Sequence, residues 1–118
     1  MTAAARSVYY FGFYLYVVGS TLLLIPNIFL RTIQLPETNE VWIRVAGVLV
    51  ICLGYYYHRS GAGNDAGMFK LTVHVRTFVC LAFAVLAILK LAPPILAGFG
   101  IVDLVGAAWT WQALKKGN

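Results

Sequence analysis

Charge is scarce in this chain, and acid is scarcer. Only 11% of the 118 residues are charged, and the acids are Glu37, Glu40, Asp65 and Asp103. A soluble globular domain carries about 25% charged residues, so the composition excludes one. Cysteine is limited to Cys52 and Cys80, both inside apolar blocks. They read as small buried apolar residues and carry no information on redox compartment. No His/Cys spacing suits a metal, and there is no Gly-rich phosphate loop, no HExxH and no nucleophile elbow. Nothing activates a nucleophile, so the sequence calls for no cofactor or metal and leans away from an enzyme. The net charge of +5 sits at block ends rather than on one clustered face, which excludes a nucleic-acid binder.

What is abundant is oil: 61% of residues are hydrophobic, gathered in four long blocks at 8–30, 41–57, 70–92 and 94–114. Each approaches or exceeds the roughly 17–25 residues a helix needs to cross a bilayer. The spacing predicts an all-α integral membrane protein, a single domain of four transmembrane helices in an antiparallel up-down bundle. The first block is too long for a signal-peptide core and reads as an uncleaved anchor. Pro26 removes the bond to the Leu22 carbonyl and predicts a kink, with Asn27 placed to satisfy the freed carbonyl. Pro93-Pro94 predicts the reversal between the last two helices. The third block begins amphipathically with Lys70, His74 and Arg76, as if lying along the interface before dipping in.

Four crossings put both termini on one side. Arg6, Arg59, Lys70, Arg76, Lys115 and Lys116 fall there, against Arg31, Arg44 and Lys90 on the other. The excess predicts cytoplasmic termini, in a bacterial cytoplasmic membrane. Small residues recur on helical faces: Gly12 with Gly19, Gly47 with Gly54, Gly100 with Gly106. Such faces allow close helix approach. They point to self-association, as a homo-oligomer or with a membrane-complex partner, beside the lipid bilayer itself.

One acid lies inside a block. Asp103 has roughly nine apolar or small residues on either side, near mid-depth at ~1.5 Å per residue. An ionisable group there costs about 2.5–3.5 kcal/mol on insertion scales, so it needs a partner or a purpose. Arg44 is the first candidate partner, with Arg76 as competitor from the opposite side. Either an ion pair or hydrogen bond joins two helices, or Asp103 is a proton or cation site. Tyr14 and Tyr16 lie deep enough to need acceptors and suit the wall of a pocket for a flat ligand such as a quinone or sterol. His74, at the interface, completes the candidate set.

The stretch WIRVAGVLVICLGYYY, with Arg44 followed by Gly47 and Gly54, then a polar loop and an acid in the last helix, resembles the small four-helix membrane proteins grouped as DoxX-like or as the related DUF4345 type. The resemblance implies a four-helix integral membrane protein, in some members linked to membrane oxidoreductase complexes, with Arg44 and Asp103 as structural or binding positions. Small multidrug transporters match in size but carry an essential Glu in the first helix, where this chain has no acid.

Overall fold

The computed structural model describes residues 1–116, and these are all-helical. Helix α1 (Ala3–Leu24) is followed by short α2 (Pro26–Thr32), then α3 (Trp42–Ala62), α4 (Ala66–Ile88) and α5 (Ile95–Lys115). Helices α1, α4 and α5 are long and apolar enough to cross a membrane. Helix α3 is of similar length, but Arg44, Tyr55-Tyr56-Tyr57 and His58 lower its mean hydropathy. The molecule measures 45 × 29 × 19 Å, and its long dimension matches a bilayer with head groups, about 40–45 Å. Apolar side chains cover the outside: Phe78 is 68% exposed and Ile88 77%. Soluble monomers rarely show such continuous apolar surface, whereas it suits lipid.

The tightest contact is the antiparallel α1–α3 seam. Ala5, Gly12 and Gly19 recur every seven residues and meet Gly61, Gly54 and Gly47 in matching register. A Cβ on Gly54 would lie 2.9 Å from the Gly12 carbonyl oxygen, and one on Gly47 would lie 2.7 Å from that of Gly19. The backbones themselves are in contact, so only glycine fits. Seven residues are nearly two helical turns, which keeps the small positions on one stripe. The glycine faces of α1 and α3 are therefore consumed inside the chain. They are not free for a second copy, contrary to the sequence expectation. On α5, Gly100 packs on the Cys80 backbone of α4, and Gly106 faces Phe11 and Arg76.

The apolar core is lopsided. Ala4, Ala5, Val8, Phe11, Tyr57, Phe69 and Ala113 form one cluster at the end where α1 and α4 begin and α3 and α5 finish. Thr2 fixes this end: its hydroxyl accepts from the Ala5 N–H and donates to Asn64 Oδ1, 2.9 Å away, across the α3–α4 turn. Asp65 caps α4 by accepting from the Met68 N–H at 3.1 Å, the usual role of an Asp before a helix. Beyond Arg76, no residue of α4 is fully buried.

Several expected boundaries move. Pro26 breaks the first block rather than kinking it. Helix α1 stops at Leu24, Ile25 leaves helical geometry, and Pro26 starts α2, where its missing N–H costs nothing. Asn27 does not mend the break; its Oδ1 accepts from the Thr38 N–H at 2.9 Å and tethers the following loop. Helix α4 starts at Ala66 as one continuous helix, with no separate interfacial segment, and ends at Ile88. Lys90 turns left-handed (φ 62°), and the Leu91 N–H bonds to the Leu86 carbonyl at 2.9 Å, a Schellman ending. Pro93-Pro94 thus follow a stop already made. Cys52 is exposed and Cys80 half-buried; neither belongs to the core.

Candidate functional site

Arg76 is the eleventh residue of the 23-residue α4, which places it about 15 Å from either end at 1.5 Å per residue. Its side chain is 1% exposed. It does not stand at an interface. It lies over Gly106 of α5, where the absence of a side chain leaves room: a Cβ there would be 3.0 Å from Arg76 Nη1 and 2.9 Å from the Phe11 ring. The guanidinium Nε donates to the Thr72 carbonyl at 3.2 Å, one turn back on its own helix. Nη2 donates to Thr72 Oγ1 at 3.0 Å and to Thr110 Oγ1 at 2.8 Å.

From Thr110 the network continues into α1. Its hydroxyl meets Ser7 Oγ at 2.6 Å, and Ser7 donates to the Ala4 carbonyl at 2.7 Å. The Thr110 hydroxyl accepts from Arg76 and also lies 3.2 Å from the Gly106 carbonyl, so its one proton is shared between that oxygen and Ser7. Two rings flank the cation: Phe11 of α1 at 4.9 Å and Tyr57 of α3 at 5.5 Å from ring centroid to Cζ. Such contacts are worth about 2 kcal/mol or more when desolvated. One side chain on α4 therefore touches all three other long helices. Among the described residues, Nη1 is the buried side-chain polar atom without a hydrogen-bond partner.

Asp103 is half-buried, one turn from Gly106 along α5. It makes no ion pair; the one ion pair among the described residues joins exposed Arg31 and Glu37 at 2.9 Å. Arg76 lies over Gly106, one turn along α5 from Asp103, whereas Arg44 reaches α1. Arg44 is exposed, and its Nη1 donates to the Leu23 carbonyl. That carbonyl lies in the last turn of α1, beside the break at Pro26, and a cation there complements the helix C-terminus.

The remaining candidates separate. Tyr14 is half-buried and packs near Phe11, with centroids 5.2 Å apart. The Tyr16 hydroxyl instead pairs with His58 Nδ1 at 3.1 Å, and Tyr9 and Phe13 pack round the same imidazole at 5.3 and 5.2 Å. His74 is exposed and belongs to neither group. Sequence reasoning missed Ser7 and Thr72 as parts of the network and did not pair His58 with Tyr16. The signals were present: Thr72 and Arg76 are four apart, and aligning the glycine stripes antiparallel sets Tyr16 near His58. A surface hollow of about 440 Å³ lies away from the cluster, between Ile33–Leu35 and Pro93–Gly98 at the other end. No three metal-ligating side chains converge among the described residues. No protein-family model matches the chain, and neither a curated protein nor a solved structure does.

Proposed function

We propose that the chain is a small, non-catalytic integral membrane protein, an accessory subunit or self-associating unit, crossing the bilayer four times with both termini in the cytoplasm. A bacterial cytoplasmic membrane suits its size and charge placement. Helix α3 supplies the fourth crossing: its apolar middle is bracketed by aromatic residues, and Arg44 reaches the end of α1. The observation that carries this reading is the use of Arg76. Its donors, except Nη1, are spent on the chain's own helices, which is the economy of a structural joint. With the α1–α3 glycines consumed internally, self-association or partner binding falls to the apolar flanks of α3 and α4. In detergent, the protein should run above monomer mass or co-purify a membrane partner; a strict monomer at every concentration with no partner would remove this reading.

A second reading has one specific observation behind it: Arg76 Nη1 is without a partner over Gly106, and Asp103, one turn along α5, has no ion pair. An acid held this way suits a proton- or cation-coupled transporter, or a binder of a hydrophobic ligand such as a quinone or lipid. Arg76 then takes the role first expected of Arg44, and Tyr14 remains beside the site. Here Asp103→Asn should abolish transport or binding in proteoliposomes while the protein stays folded. Unchanged activity would take Asp103 out of the mechanism. The DoxX-like resemblance is compatible with either reading and favours neither.

A further inference from the structure

Five basic side chains, drawn from every long helix, form a collar at one end of the molecule. Arg6 follows Ala5, Arg59 lies two after Tyr57, Lys70 follows Phe69, and Lys115 comes two after Ala113 with Lys116 beside it. Ala5, Tyr57, Phe69 and Ala113 pack in one cluster, so their basic neighbours surround the same end although they are spread from residue 6 to residue 116. All five are exposed. The only acid among the described residues there, Asp65, is occupied in capping α4. The opposite end differs. Arg31 is paired with Glu37 at 2.9 Å, Arg44 is tied to the Leu23 carbonyl, and a second acid, Glu40, stands in the loop before α3. Arg76, counted with the collar on sequence grounds, is withdrawn into the interior.

The collar is also layered. Tyr10, Tyr55, Tyr56, Trp109 and Trp111 are about half exposed and lie within the next one or two turns toward the middle. Charge outermost, then amphipathic rings, then apolar surface is the profile of a bilayer interface. An acidic soluble partner would not need the ring layer. We propose that this end binds a shell of anionic phospholipids through their head-group phosphates, and that the opposite end does not. The inference rests on the reading that the long helices cross a bilayer.

The tryptophans report on it directly, since Trp109 and Trp111 lie at the collar and Trp42 at the other end. Trp42→Phe protein is reconstituted with brominated phosphatidylglycerol or brominated phosphatidylcholine, and quenching of tryptophan fluorescence gives the relative association constants. A basic residue near an anionic surface is worth about 1 kcal/mol, so a preference of at least about fivefold for phosphatidylglycerol is expected. High salt should weaken it. In the variant Arg59→Gln, Lys70→Gln, Lys115→Gln, Lys116→Gln the preference should fall to within about twofold, whereas Arg31→Gln with Lys90→Gln should leave it intact. Equal quenching by the two lipids, or a preference that survives the collar substitutions, overturns the inference while leaving the crossings in place. No quenching by either lipid overturns the crossings and the inference together.

Discussion

The α1–α3 seam is made by removing side chains, and the junction at Arg76 by inserting one. Along the seam, glycine carbonyls lie so near the facing helix that a Cβ would come within 3 Å of backbone atoms. The attraction there is dispersion between closely packed surfaces, supplemented by the Tyr16–His58 bond at the edge. At the junction, a cation sits in a dry interface and is satisfied by hydroxyls and ring faces. The first arrangement tolerates no added volume. The second tolerates no lost acceptor. In lipid the hydrophobic effect does not drive helices together, so packing and polar contacts must do so, and this chain assigns one to each contact.

The contrast can be broken most severely at the seam. Gly54→Leu should cost about 3 kcal/mol or more, because overpacking against backbone cannot be relieved by a rotamer change. Unfolding in a denaturing detergent series should show it. Gly98→Leu is the matched control: nothing lies within 4 Å of a Cβ there, and the change should stay within about 0.5 kcal/mol. Equal losses at the two positions would mean that the seam is not a close contact.

The junction should respond to lost acceptors rather than lost charge. Thr110→Val removes the oxygen that joins Arg76 to Ser7, and should cost about 2–3 kcal/mol by stranding buried donors. Arg76→Met should be close to neutral, since well-packed apolar replacements of buried charges often are. In a double-mutant cycle, Thr110→Val should then be less damaging on top of Arg76→Met than in the native chain. Additive losses would mean that the two side chains do not act together.

Smaller effects sharpen the picture. Tyr16→Phe removes one hydrogen bond at the seam's edge and should cost about 0.5–1.5 kcal/mol; His58→Ala in the same background then measures the remaining ring packing. The stability effect of Asp103→Asn should also be small, below about 1 kcal/mol, because no ion pair is lost. A cost of about 3–5 kcal/mol would show instead that Asp103 is the counter-ion of Arg76.

Much of the seam could be read in advance. Gly12 with Gly19, and Gly47 with Gly54, stand at helical spacing, and spacing is a local property of the chain. What spacing does not contain is the partner: the same stripes suit a second copy as well as a second helix of the same chain. The junction was less legible. Arg76 lies next to Lys70 and His74 in a segment that looks amphipathic, and only the fold turns it inward while leaving His74 outside. Ser7 and Thr110 are separated by 103 positions, and no local pattern links two ordinary hydroxyl residues over that distance. Arg44 misled for a related reason. The break at Pro26 exposed a nearby acceptor for it, the Leu23 carbonyl.

The sequence by itself determined the helices, because runs of apolar residues long enough to span a bilayer leave the backbone no other way to satisfy its own polar groups. It also determined which faces could approach closely, since a missing side chain is missing in any fold. Tertiary structure decided which cation is buried, and so withdrawn from the basic end, and which residues answer it. Those outcomes depend on distances between helices that are remote in sequence, and electrostatic and hydrogen-bond energies are set by such distances rather than by composition.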